Sequence, residues 1–250
     1  HLCILHSPDP NKDKGAFEDA LTAHRLRDEQ KNNFADIVFP DEIDFAETAF
    51  TERANFSRAK FIKEANFDGA VFEKGATFTW SRFAENSSFA QTKFLETVWF
   101  SKAFFSGDSD FYDANFSRIY LHGTEFMGKA NSAVATSSEP IPLQGARFKG
   151  QADFSNVSFN GFTHLSDIIF SDSALFCGAA FTEQVVFNII TFKNRSDFSG
   201  AVFTKGGGVS RYRFQRPREI YTSKVFGSDF FYRCQNQDVW WGRSFRPYGN

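Results

Sequence analysis

His1, Cys3 and His6 are the residue types that ligate zinc, but a four-coordinate site needs a fourth ligand and none follows nearby. The trio reads as a chain end. The three cysteines, Cys3, Cys177 and Cys234, are far apart and odd in number. That is no disulfide framework, and it fits thiols in a reducing compartment. Lys205-Gly206-Gly207-Gly208 has the glycines of a phosphate cradle without the order or spacing of a P-loop, so it reads as an exit from the preceding structure. His122 and His164 stand alone, with no serine or cysteine matched to either as nucleophile to base. The expectation is no enzyme, no cofactor and no metal.

What must be positioned instead is aromatic. The chain has 250 residues, 18% of them aromatic, with 35 Phe against 4 Trp and 6 Tyr. From Phe34 to Phe116 the rings fall in steps that alternate five and six residues without exception. From Phe148 to Phe203 the same alternation returns, with Leu165 at one position. Two residues before nearly every Phe stands a small or β-branched residue, as at Ala54, Ala59, Ala65, Ala70 and Ala76. A spacing of two puts both side chains on one side of an extended segment. A helix is excluded because 5.5 residues is no multiple of 3.6. Very short strands joined by corners therefore wind into a coil, and each coil buries its inner face by stacking on the next. Each buried Phe stabilises by ~1.5–3 kcal/mol. The core set includes Phe56, Phe61, Phe67, Phe72, Phe78, Phe83, Phe89 and Phe94, then Phe176, Phe181, Phe187 and Phe192.

In segments such as ANFSRAKF and ANFDGAVF the chain resembles the pentapeptide-repeat family, and the likeness covers about residues 34–203. The resemblance implies an all-β solenoid, a right-handed quadrilateral β-helix with the central residues stacked inside. The extra residue in every second unit makes about eight coils of ~22 residues, with two longer corners in each. Between Phe116 and Phe148 the repeat continues only through Leu121, Phe126, Ser132, Ser137 and Leu143. Residues 127–140 are either degenerate repeats or a protruding loop. Residues 1–33 form an N-terminal segment in which Ala16, Phe17, Ala20, Leu21 and His24 lie at helical spacing, an amphipathic cap for the first coil. The β-helix spans 34–214, and 215–250 is a basic, aromatic tail in which residues 218–234 read as a second helical cap.

Charge separates along the chain. Residues 34–203 sum to −7, with Asp36, Asp41, Glu42, Asp44 and Glu47 at the start, whereas residues 204–250 sum to +6. Asp41, Glu42 and Asp44 are thus candidate interface residues, opposed by Arg211, Arg213, Arg216, Arg218, Trp240 and Trp241. The partner expected is the protein itself, as a dimer or a head-to-tail filament; another protein is the next choice, and the overall balance argues against nucleic acid. The family resemblance implies an alternative, a DNA-mimicking binder of a type II topoisomerase. Five Asn-x-Ser sequons, at Asn55, Asn86, Asn115, Asn156 and Asn194, read as by-products of the repeat. No apolar run is long enough to span a membrane. The start at His1 reads as a processed product or a fragment, cytoplasmic unless a signal peptide has been removed.

Overall fold

A computed structural model describes residues 3–26, 32–204 and, as backbone strands, 207–214, 220–222, 230–234 and 237–241. The side chains of His164 and Phe187, and all those from 205 on, lie outside the description. Strands of mostly two residues pair in parallel with the strand one coil later, as Phe39 with Phe61 and Phe61 with Phe83. Up to Val185–Phe192, eight levels of such strands stack on the face that begins at Val38–Phe39, enclosing about seven full turns of ~22 residues. The other three faces begin at Ile43–Asp44, Ala49–Phe50 and Ala54–Asn55, and are called here the second, third and fourth.

The inside is a lattice of rings. Phe39, Phe61, Phe83, Phe105, Phe126, Phe148, Phe170 and Phe192 form one unbroken column, centroids 4.6–5.1 Å apart and planes within 12°. Rings on neighbouring faces meet edge to face, as Phe56 with Phe67 at 5.5 Å and 87°. Both geometries suit the aromatic quadrupole. Eleven of the twelve core Phe named above are at most 2% exposed, Phe187 being undescribed. The residue two before each ring also points inward, and only a small one leaves the rings room: Ala54, Ala59, Ala70 and Ala76 are all 0% exposed.

The two step lengths make two kinds of corner. In each five-residue step the amide three residues after the ring bonds back to its carbonyl, as Ile37 to Phe34 and Ala59 to Phe56. The residue between them has positive φ: Asp36, Glu47, Arg58, Trp80, Gln91, Lys102 and Asp113 hold that place in successive corners, with Gly69 among them. This is the left-handed third position of a type II turn, which favours glycine. Val134 and Ile189, at φ 62° and 58°, are β-branched residues in that strained region. Val134→Gly is therefore expected to raise stability by about 1 kcal/mol, a rise of a few degrees in melting temperature. An unchanged or lower melting temperature would mean the corner carries no strain.

Residues 127–140 are degenerate coil rather than loop. Ala130–Asn131 pairs with Ser109–Asp110, and Thr136–Ser137 pairs with Asn115–Phe116. The residue missing from the alternation is lost between Phe116 and Leu121, where one continuous strand, Asn115–Tyr120, lies beside the longer Lys93–Trp99. Leu95 is 54% exposed beside that register shift. Two serines replace rings in this coil. Ser132 lines a cavity of about 30 Å³ with Phe111, Phe154, Phe126, Phe148 and Ile141. Ser132→Leu should fill it and raise the urea midpoint, by about 1–2 kcal/mol of stability. A lower midpoint would show that the coil has already closed on the serine.

Beyond Phe203 the coil continues. Gly207–Phe214 pairs with Val185–Phe192, and Ile220–Thr222 pairs with Ser196–Phe198 on the second face. Phe230–Cys234 and Gln237–Trp241 form an antiparallel hairpin. The second helical cap expected over 218–234 is thus corrected: the described part of that segment is strand. The β-branched and aromatic run Ile220-Tyr221-Thr222 follows the ladder already laid down, and packing on a sheet overrides a weak helical pattern. Among the described residues the single helix is α1, Lys14–Arg25. No helix among them is long and apolar enough to cross a membrane.

Candidate functional site

The N-terminal end of the rod is closed. Asp13 caps α1 by accepting the Ala16 amide, and Phe17 and Leu21 are buried. Phe17 meets Phe39 edge to face at 6.1 Å, so the first column of rings ends against the helix. The segment before α1 is bolted down by Lys12. The three N–H groups of its ammonium are shared among four carbonyls, those of Val38 (2.6 Å), Ile4 (2.9 Å), Ser7 (3.2 Å) and Leu5 (3.4 Å). It also sits 4.6 Å from the centre of the Phe17 ring. The Leu5 carbonyl takes the Val38 amide, an edge group of the first coil.

Asp41, Glu42 and Asp44 lie in the first coil, at the foot of the second face. Asp41 is 3.9 Å from Lys14 of α1, and Glu42 and Asp44 are exposed. Asp44 has a structural duty, since its Oδ1 accepts the Ala46 amide. Asn66, Asp110, Asn131, Asp153 and Asp197 do the same one or more coils on. Asx residues are favoured there because the side chain closes the turn.

Higher on this face runs a groove of about 470 Å³, edged by Glu64, Asp68, Asp108, Asp110 and Lys129. Its acids are tied across coils. Asp68 accepts from the Ser88 hydroxyl and the Ala90 amide, Asp108 from the Lys129 amide, and Asp110 from the Asn131 side chain. Among the described residues no three His, Cys, Asp or Glu gather as metal ligands. Cys3 Sγ and His6 Nδ1 are 2.9 Å apart, and His1 lies outside the described residues.

Corners bind to corners by charge and ring. Arg58 forks onto Asp36 with two bonds of 2.6 Å, and Lys102 lies 4.5 Å from the centre of the Trp80 ring, one coil on in each case. The Arg58 guanidinium holds the Asp36 carboxyl below the usual carboxylate range. Exposed pairs of this kind add little stability, because water screens them.

The fourth face is broken. Its ladder runs through Ala54, Ala76, Val98 and Ile119 to Ile141, where Pro140 and Pro142 supply no amide hydrogen. It resumes at Thr163–Ser166. A groove of about 220 Å³ opens at the break, lined by Arg118, Tyr120, Glu139, Pro142 and Phe162. Nothing in the repeat pattern alone points to it; the Pro-Ile-Pro run is the one signal in the sequence.

Compared with known families, residues 34–82 match the one described as pentapeptide repeats, in nine copies. Residues 34–82 are thus a run of pentapeptide repeats. No curated protein matches it. The pentapeptide-repeat coil itself runs past the matched stretch, since the pairing one coil apart persists to Val202–Phe203.

Of the remaining interface candidates, Arg211 and Arg213 fall on Gly207–Phe214, and Trp240 and Trp241 on the last hairpin strand. Their side chains, and Arg216 and Arg218 altogether, lie outside the described residues. His122 is exposed.

Cys177 is half-buried, and burial pushes its thiol pKa up, with Asp197 adding to the effect. Burial acts the same way on the Asp197 carboxyl, but bonds from Ser199 and Arg195 outweigh it and leave that pKa lowered. Cys177 is therefore expected to alkylate slowly at neutral pH and faster as pH rises, because only the thiolate reacts. Rates in a Cys3→Ser, Cys234→Ser protein measure this, and Asp197→Asn should speed them. A Cys177 that labels as fast as an exposed thiol would contradict the assignment.

Proposed function

We propose that this pentapeptide-repeat protein is a non-catalytic interaction scaffold that self-associates through its C-terminal end. The observation that carries the reading is the asymmetry of the rod. Its first coil is sealed by α1 and Lys12, whereas Glu42 and Asp44 stay exposed on the side, within reach of a basic tail from another copy. The segment charges, −7 for 34–203 and +6 for 204–250, favour that contact at low salt. A head-to-tail filament through the two rod ends would require α1 to leave. A dimer, or an array with the tail of one copy on the second face of the next, would not.

Light scattering after size exclusion, at low and high salt, tests this on the full chain. The expected result is a mass above the monomer at low salt that falls with added salt and with deletion of 235–250. The variant Asp41→Asn, Glu42→Gln, Asp44→Asn should lower it too. That variant leaves the turn intact, since Asn takes the same amide at Asn66 and Asn131. A monomer at high concentration and low salt would overturn the proposal.

The second reading is the DNA-mimicking contact with a type II topoisomerase, favoured by the line of Glu64, Asp68, Asp108 and Asp110 on the second face. Supercoiling activity unchanged at micromolar protein would dispose of it.

A further inference from the structure

The fourth face carries one outward side chain per coil: Asn33, Asn55, Thr77, Trp99, Tyr120 and Pro142 in turn. Trp99 and Tyr120 stack with centroids 6.1 Å apart and planes 7° from parallel. The Arg53 guanidinium lies 4.4 Å from the centre of the Trp99 ring. The next place in the column is Pro142, which breaks the ladder and has no planar ring to continue the stack. Beyond Tyr120 the groove opens, its other walls coming from later coils: Glu139, Pro140, Ile141, Pro142 and Phe162. Tyr120 thus stacks on Trp99 and also lines the groove.

We propose that this groove binds a neutral carbohydrate, with one sugar ring of a glycan seated against Tyr120. The chemistry of the walls selects it. Tyr120, Pro140, Pro142 and the 49% exposed Phe162 present apolar surface suited to the C–H face of a pyranose. At the rim Arg118 offers donors and Glu139 an acceptor, a matched pair 3.6 Å apart and each about half exposed. Together they answer hydroxyls without adding net charge.

A polyanion is disfavoured on the same grounds. Among the described residues lining it, the one cation, Arg118, is paired with Glu139, and residues 34–203 sum to −7. An extended proline-rich peptide needs several aromatic-lined subsites in a row. This groove occupies the width of one broken coil between Tyr120 and Phe162, which suits a single ring.

Affinity electrophoresis of the full chain tests the site, in native gels containing hydroxyethyl cellulose, galactomannan or amylopectin. At least one polymer is expected to retard the protein. Tyr120→Thr, the residue this column already carries at position 77, should weaken that binding about tenfold or more. Trp80→Ala, on a different corner, should leave it unchanged, and circular dichroism checks that both variants fold. The site is refuted by free migration in all three gels, by equal retardation of Tyr120→Thr, or by retardation in dextran sulfate alone. Competition by a proline-rich peptide, with no response to soluble oligosaccharides, would assign the groove to a peptide instead. Solution mass measured on the same samples keeps this result apart from self-association, since neither outcome depends on the other.

Discussion

Phe83→Ala is expected to cost about 3–5 kcal/mol, the largest loss from any single substitution considered for this protein. Phe83 is 1% exposed and stacks on both sides, 4.6 Å from Phe61 and 4.6 Å from Phe105, with planes 5° and 2° apart. Phe89 meets its edge at 5.8 Å. Removing the ring opens a cavity between two coils that are locked to one another by backbone ladders on four faces, so collapse onto it is restricted. Phe198→Ala should cost less than half as much, because Phe198 is only half-buried although it stacks on Phe176 at 4.7 Å. Equilibrium urea unfolding of both variants gives the comparison. A pair of substitutions in one column adds a further test. Phe61→Ala with Phe83→Ala should fall short of additivity by about 1 kcal/mol, the stacking term counted twice in the single variants. Equal losses at Phe83 and Phe198 would mean that stability is not the nearest-neighbour sum expected of stacked repeats.

Lys12→Met is expected to open the N-terminal cap. A charged donor to a carbonyl contributes about 1.5–3 kcal/mol, and the Lys12 ammonium makes four such contacts, to Ile4, Leu5, Ser7 and Val38. Methionine keeps much of the apolar stem and leaves those carbonyls without their common donor. The local loss should be about 2–4 kcal/mol. It falls on the docking of residues 3–13 and α1, leaving the interior coils intact. Two readouts follow. Amide exchange should quicken across Val38 and its neighbours on the first coil, with Phe83 and later coils unaffected. The uncovered edge should also raise the tendency to associate through the first coil, since an open ladder pairs with any strand offered. Unchanged exchange at Val38 would show that α1 is held by Phe17 and Leu21 alone.

Much of the fold was legible because its period is written in one residue type. The alternating step of five and six places a ring on every face, and the small residue two before each ring marks the inward side. The left-handed corners were overlooked, although Gly69, Gly123, Gly145, Gly178 and Gly200 stand at that position and signal it. The reading of 127–140 stayed open because two serines and a missing residue erase the period, while the backbone pairing that resolves it depends on partners some 21 residues away. Helix was expected at 218–234 for want of any local mark of the ladder waiting at Ser196–Phe198. Asp41, Glu42 and Asp44 were recognisable as a charge cluster, but the approach of Asp41 to Lys14 of the capping helix was not.

The sequence by itself determined the repeat, the inward rings and the polar exterior, because strand periodicity and burial act between neighbours a few residues apart. Only the tertiary structure decided three further things: how the N-terminal end is sealed, where the ladder breaks at Pro140–Pro142, and that Tyr120 lines a groove there. Each depends on groups one or more coils apart meeting in space. Lys12 reaches the Val38 carbonyl, and Tyr120 lies between Trp99 and the walls of later coils. No spacing rule along the chain encodes those meetings, since they follow from the stacking of whole coils.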